Sequence, residues 1–186
     1  MQIEIPETLL KRLQKDAIPF VDTTPISVIE RWADCYERHN NNKAEYKSDS
    51  ARQAVKAPNG VRKFDPHSPP NLFHTTVRGE FGTTSFSKWN DLLQIAHVQA
   101  FKKAKSFDEL RKVTRAQIKS GTKTDEGYRP IPEIGISIQG VDANHAWKHA
   151  LRLANYLNVS LKAEIEWRHK DEAAFPCERG FLMWSP

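Results

Sequence analysis

The sequence predicts an α+β protein built from two folded parts that are joined by a linker. Residues 1–39 show a very short strand pattern followed by two helical patterns, whereas residues 72–186 alternate between strand and helix patterns. Between them, residues 40–71 are polar, contain four prolines and show little periodicity. We therefore expect an N-terminal module, a flexible polar linker, and a C-terminal α+β domain in which helices pack on a small mixed sheet.

The N-terminal module begins with a strand that has one apolar face. Ile3 and Ile5 alternate with Gln2 and Glu4, and Pro6 suits the first turn of the helix that follows. A strand with two apolar residues cannot hold itself together, so the pattern predicts that two chains pair.

Two helices complete this module. Thr23 or Thr24 is placed to cap the second helix, and both helices carry an apolar face. The residues predicted to form the homodimer contact are Ile3, Ile5, Leu9, Leu13, Ile29 and Trp32.

Over residues 1–37, this order of strand, helix, break and helix resembles the ribbon-helix-helix fold. The stretch IEIPETLLKRLQ with ISVIERW resembles the N-terminal oligomerisation segment of the SeqA family, which sequesters newly replicated DNA. In ribbon-helix-helix repressors the outward strand residues contact the major groove, but Glu4 at such a position would repel phosphates. The SeqA-like version implies instead that this segment pairs chains and that a separate C-terminal domain binds DNA.

The clearest pattern in the C-terminal domain is a β-α-β unit. Strand patterns over residues 133–139 and 159–168 flank a helical pattern over residues 142–157. If the two strands share a sheet and run parallel, the crossover between them should be right-handed. Residues 119–130 are predicted to form a loop.

The net charge of +5 is spread unevenly along the chain. Residues 1–39 hold 5 Lys and Arg against 7 Asp and Glu, whereas residues 97–123 hold 8 against 2. A phosphate-binding surface needs several cations on one face, which points to the second stretch. A solvated helical face would show the same composition. The predicted DNA-binding residues are Lys102, Lys103, Lys105, Arg111, Lys112, Arg115, Lys119 and Lys123, together with Tyr128.

The aromatic residues divide into two groups. Trp89, Trp147 and Trp167 lie on apolar faces of their elements, which predicts core positions. Tyr128 and Phe175 fall in predicted loops, where a ring could stack on a base.

Two further sets of residues suggest metal chemistry. His145 and His149 are spaced as in zinc-binding helices, although the glutamate that serves as a general base in such motifs is missing, and two surface histidines explain the pair as well. Glu164 and Glu166 alternate on the outward face of their strand, as acids of a magnesium-dependent nuclease do, but alternating charges on a solvated face explain them equally. No complete metal, cofactor or catalytic set is predicted, so enzymatic activity stays open.

Together these observations favour a homo-oligomeric DNA-binding protein that acts in replication control, transcription or phage defence. An antitoxin or adaptor, with an operator-binding N-terminus and a C-terminal domain for a protein partner, is the alternative, and a metal-dependent nuclease ranks last. The absence of a long apolar run and of a secretory signal, with only two cysteines, predicts a cytoplasmic protein without a membrane partner.

Overall fold

The computed structural model describes residues 5–17, 24–45, 55–56 and 61–186. The chain divides into two compact units, Met1–Ala51 and Arg52–Pro186. Helices and strands both contribute to the second unit, which confirms the predicted α+β class. None of the helices within the described ranges has the length and hydrophobicity that a membrane span requires.

The first unit contains two helices that contact each other, α1 (Glu7–Asp16) and α2 (Pro25–Glu45). Thr24 caps α2 as predicted, because its Oγ1 accepts a hydrogen bond from the backbone N–H of Ser27 at 3.2 Å. The guanidinium of Arg31 on α2 donates to the carbonyl of Asp16 at 2.7 Å and so satisfies the C-terminal end of α1.

The residues predicted to pair chains have different environments. Leu13 is 1% exposed in the single chain, whereas Leu9 and Trp32 are half-buried and Ile29 is 39% exposed. Ile5 precedes α1 and is half-buried, while Ile3 lies outside the described residues. The pairing of chains through these residues stays a prediction.

A six-stranded mixed sheet forms the centre of the second unit. Its strands are β1 (Val55–Lys56), β2 (Arg62–Phe64), β3 (Thr75–Phe81), β4 (Thr84–Phe86), β8 (Leu161–Trp167) and β9 (Arg179–Trp184), in the order β1-β2-β9-β8-β3-β4. The β2–β9 pair is parallel and the other pairs are antiparallel. The strict alternation of apolar and polar residues along β8 buries one face of this sheet and exposes the other.

Three helices of the second unit pack on the buried face. They are α3 (Trp89–Ala104), the short α4 (Phe107–Val113) and α5 (Ala143–Leu157). Helices α3 and α5 pack closely on each other, and Trp147 and Trp167, each 1% exposed, lie in the core as predicted. Trp89 is half-buried against the same core, and its Nε1 donates to Oγ1 of Thr75 at 3.1 Å.

A second, three-stranded antiparallel sheet accounts for two differences from the sequence prediction. It consists of β5 (Ile118–Ser120), β7 (Ile136–Gln139) and β6 (Tyr128–Ile131), with β7 in the middle. The loop predicted over residues 119–130 is therefore wrong at both ends, where residues 119–120 belong to β5 and residues 128–130 to β6. The strand–helix–strand succession is present, but β7 pairs with β5 and β6 while β8 belongs to the larger sheet, so the condition for a parallel crossover is not met.

The second unit also begins earlier than residue 72. Strand β2 pairs with β9, and the guanidinium of Arg62 forms two hydrogen bonds with the carboxylate of Glu178. Part of the segment predicted as a linker thus contributes an outer portion of the sheet. Its polar composition concealed strands that are held by pairing and by an ion pair rather than by a periodic apolar face.

Candidate nucleic-acid interface

The structure distributes the predicted basic residues over several elements. Lys102 and Lys103 end α3, Lys105 follows it, Arg111 and Lys112 lie on α4, and Lys119 lies on β5. Sequence proximity does not place them on one face, because α3, α4 and β5 are successive elements with turns between them.

Half of these cations are engaged within the chain. Lys102 pairs with Glu133 at 3.3 Å, and Lys112 pairs with Glu109, whose hydrogen bond raises the pKa of the lysine. Other partners hold two more lysines. Lys103 donates to the carbonyl of Tyr156 at 2.6 Å, and Lys123 lies between Asp125 and Glu126 at 3.3 and 2.9 Å.

The remaining four residues are exposed and form no ion pair with any residue in the described ranges. They are Lys105, Arg111, Arg115 and Lys119. Only this half of the predicted tract retains charge that a polyanion could use without first breaking an internal contact.

Tyr128 occupies a strand rather than a loop. It begins β6 and is 7% exposed, and the ammonium of Lys123 lies 5.1 Å from the centre of its ring. A ring buried in this way cannot stack on a base, so the prediction of Tyr128 as a DNA-binding residue is corrected on grounds of burial.

Phe175 is also part of the core rather than an open loop. Its ring stacks on Phe64 at 5.5 Å and meets Trp167 edge-on at 5.1 Å, with the guanidinium of Arg62 4.7 Å above it. Gly180 makes room for this cluster, because a Cβ at that position would lie 2.7 Å from Phe64. Phe175 therefore stabilises the β2 side of the sheet.

Within the described residues, helix α5 displays a further positive surface, which the sequence-based prediction did not include. Lys148 and Arg152 are exposed one turn apart, and His145 and His149 lie on the same side of the helix. No Asp or Glu occurs in residues 143–163. We name Lys148, Arg152, His145, His149 and the adjoining Arg115 the α5 face.

A hydrogen bond joins this helix to the end of α4, two residues before Arg115. The guanidinium of Arg152 donates through Nε to the carbonyl of Val113 at 2.6 Å, at the end of α4. Because Arg115 follows two residues later and is exposed, the cations of α5 and the exit from α4 occupy neighbouring positions. The rest of the guanidinium of Arg152 keeps donors that can reach a phosphate.

The sequence of α5 explains why this face is displayed. Ala146, Trp147, Ala150 and Leu153 are all buried, which fixes the rotation of the helix about its axis. Asp142 caps its start by accepting hydrogen bonds from the backbone N–H groups of Asn144 and His145 at 2.9 and 3.1 Å. Asn158 ends the helix in the left-handed conformation, with φ of 60°.

A buried histidine packs beneath the α5 face and connects helix α3 to the end of α4. His97 on α3 is fully buried; its Nδ1 lies 2.7 Å from the carbonyl of Leu93, and its Nε2 lies 2.7 Å from Oγ1 of Thr114. Since a carbonyl only accepts, Nδ1 carries the proton and Nε2 accepts from the threonine hydroxyl. Burial lowers the pKa of His97 to about 4, so the ring is neutral and ties α3 to the exit from α4.

The outward face of the six-stranded sheet has the opposite electrostatic character. The strand register places Arg78 opposite Glu164, Glu80 opposite Lys162, and Arg179 opposite Glu166. The last pair forms an ion pair at 3.3 Å. We name these six residues the sheet face, on which each cation is matched by a carboxylate.

The sequence suggested two metal sites, one at Glu164 and Glu166 and one at His145 and His149. Glu164 and Glu166 are exposed, and the strand register places Arg78 and Arg179 opposite them. Within the described ranges, no group of three or more His, Cys, Asp or Glu side chains is placed to hold a metal ion, and this includes the surroundings of His145 and His149.

A cleft of about 710 Å³ adjoins the sheet face near the β4 edge. Its apolar lining includes Phe86, Ile95 and Phe181, and its charged lining comprises two cations and three carboxylates: Arg78, Lys162, Glu80, Asp91 and Glu164. The surplus of negative charge makes this cleft a poor place for a phosphate polyanion.

No family model, curated protein or solved structure matches this chain.

Lys148 and Arg152 are the residues that the sequence-based prediction missed. The signal was present as a combination of two features, an i, i+4 pair of cations on the polar side of an amphipathic helix and a run of 21 residues, 143–163, without a carboxylate. The charge count over residues 97–123 instead favoured a stretch in which carboxylates pair with three of the eight cations and a backbone carbonyl engages a fourth.

Proposed function

We propose that this protein binds DNA through the α5 face of its second unit and that its first unit pairs chains. The proposal rests on a contrast between two surfaces. The α5 face displays Lys148, Arg152 and Arg115, and residues 143–163 hold no carboxylate, whereas each cation of the sheet face lies opposite a carboxylate. A surface like the α5 face attracts phosphates and so supplies the sequence-independent part of nucleic-acid binding.

The contacts expected from this face are to the phosphate backbone. Arginine offers a planar fork that binds phosphate oxygens in pairs, and lysine provides a mobile point charge. Tyr156, which borders the face, is half-buried and its carbonyl and ring both engage Lys103. The side chains that face outward thus favour phosphate contacts over base stacking.

The first unit supports pairing of chains on physical grounds. Helix α2 leaves Ile26, Ile29 and Tyr36 at 61%, 39% and 70% exposure, whereas Leu13 and Val28 are 1% exposed. Two helices with so little buried apolar surface are marginal alone, and a second copy would cover the remaining face. Pairing would raise the avidity of two weak DNA-binding units without a new contact. A protein with this role would act in the cytoplasm, beside the DNA.

The test is a salt titration of the full-length protein against a fluorescent 20-base-pair duplex, read by anisotropy. We expect the logarithm of the binding constant to fall linearly with the logarithm of the salt concentration, with a slope of about −3 for roughly three phosphate contacts per chain. Sedimentation of the free protein should report a dimer or larger. A duplex that shows no salt-dependent binding down to low salt would refute DNA binding, and a strictly monomeric protein at micromolar concentration would refute the pairing of chains.

A further inference from the structure

Two histidines lie among the cations of the α5 face, and phosphate binding by Lys148 and Arg152 does not use them. The rings of His145 and His149 are 6.3 Å apart, centre to centre, with their planes inclined by 35°. A neutral imidazole adds no charge to this face, whereas an imidazolium adds a full positive charge and a second donor.

The surroundings of His149 disfavour its protonated form. Partial burial, followed by the nearby His145 and Lys148, lowers the pKa of His149, and Asp142 opposes this. From the underlying helix α3 the group that faces it is His97, which is neutral. Arg152 follows one turn later on the same helix and adds to the positive surroundings.

His145 is in a different position because a carboxylate already matches it. Its Nδ1 lies 2.5 Å from Oδ2 of Asp142, the residue that caps α5. Burial acts to raise the pKa of Asp142, but the hydrogen bonds and charge of His145, with the backbone N–H of Asn144, outweigh it and lower that pKa. His145 therefore has a carboxylate as its direct partner, whereas no residue of the described ranges forms an ion pair with His149.

We infer that His149 is a proton-dependent phosphate-binding residue, so that DNA binding by the α5 face strengthens as the pH falls. This inference rests on the proposed function and specifies how that face is regulated. A phosphate held by Lys148 and Arg152 would bring a negative charge beside His149 and favour its protonated form. By linkage, the complex takes up a proton that the free protein does not hold, and acid therefore favours the complex.

The experiment measures this proton directly on the full-length protein. Calorimetric titrations with a 20-base-pair duplex at pH 7 in two buffers of different ionisation enthalpy give the number of protons taken up. We expect a measurable uptake of up to about one proton per chain, a roughly threefold to tenfold gain in affinity between about pH 7.5 and 5.5, and a salt slope steeper by about one at the lower pH.

Three variants locate the proton. His149→Gln should abolish the uptake and flatten the pH dependence, while His74→Asn, at an exposed position with φ of 60° on another part of the unit, should change neither. Asp142→Asn keeps a residue that caps helices well but removes the carboxylate, so affinity should rise about twofold to threefold.

The outcomes separate this inference from the proposed function. Binding that depends on salt but not on pH, or an unchanged proton uptake in His149→Gln, overturns the inference and leaves DNA binding by the α5 face standing. A loss of the uptake in His74→Asn overturns it as well. An absence of salt-dependent binding at every pH defeats the proposed function together with the inference.

Discussion

The α5 face and the sheet face belong to one folded unit and carry similar numbers of cations, yet they differ in how those cations are matched. On the sheet face the antiparallel register sets Arg78 opposite Glu164 and Arg179 opposite Glu166. On the α5 face, Lys148 and Arg152 form no ion pair with a residue of the described ranges, and residues 143–163 contain no carboxylate. The comparison teaches that the neighbours of a charge, more than the number of charges, indicate whether a surface suits a polyanion.

The largest expected effect is on stability, and it comes from the residue that lies beneath the α5 face. Under the α5 face, His97 must stay neutral, since burial lowers its pKa to about 4 from the ordinary value of 6.5. Unfolding exposes the ring, which then binds a proton more readily. Stability from this residue is therefore complete above about pH 6.5 and is lost as the pH falls toward 4, by about 3 kcal/mol in the free energy of unfolding.

Urea unfolding from pH 7.5 down to pH 4, followed by tryptophan fluorescence, measures this loss. The signal reports on the second unit because Trp147 and Trp167 are buried there. His97→Gln should be less stable at neutral pH but should lose less stability on acidification. A wild-type protein as stable at pH 4.5 as at pH 7.5, or a variant with an unchanged acid dependence, would contradict the neutral buried ring.

The next largest effect tests the two faces with matched charge changes. Lys148→Gln/Arg152→Gln and Arg78→Gln/Lys162→Gln each remove two positive charges from exposed or half-buried positions. We expect the first pair to weaken duplex binding on the order of tenfold and to reduce the salt slope by about two. The second pair should change the affinity less than about threefold, because carboxylates already offset those charges.

Anisotropy titrations of both double variants at the same salt concentration make the comparison, with circular dichroism to verify that each is folded. Equal losses of affinity in the two variants would show that net charge alone governs binding. A larger loss for Arg78→Gln/Lys162→Gln would move the interface to the sheet face and its cleft.

The sequence could predict those parts of this fold that depend on local periodicity. The alternation along β8 and the apolar stripe of α5 determine which residues are buried, and Asp142 and Thr24 indicate where helices begin. Strand β7 (Ile136–Gln139) covers only the second half of the strand predicted over residues 133–139, because Pro132–Ile134 form a 3-10 turn. Its partners β5 and β6 are three and four residues long, too short for a periodic signal.

The site was harder to predict because charge matching is a tertiary property. Lys102 and Glu133 are 31 residues apart in the chain, yet Nζ of the lysine lies 3.3 Å from Oε1 of the glutamate, and no local sequence pattern predicts that contact. Tyr128 was expected in a loop because glycine and acidic residues precede it, whereas pairing with β7 buries it. The outward-facing residues of α5 could have been predicted, because the spacing of residues along a helix determines which side chains share a face before any tertiary contact is known.

The smallest expected effect separates charge from geometry within the α5 face. Arg152→Lys keeps the positive charge but removes the Nε–H that donates to the carbonyl of Val113 at 2.6 Å. If affinity depends mainly on charge, binding should weaken by no more than about threefold with the salt slope unchanged. The lost hydrogen bond should lower the free energy of unfolding by about 1 kcal/mol. Anisotropy and urea unfolding of the same preparation measure both quantities. A tenfold loss of affinity with an unchanged slope would instead mean that the guanidinium, held by α4, presents a paired set of donors to one phosphate, and the α5 face would then act as a shaped site and not only as a positive surface.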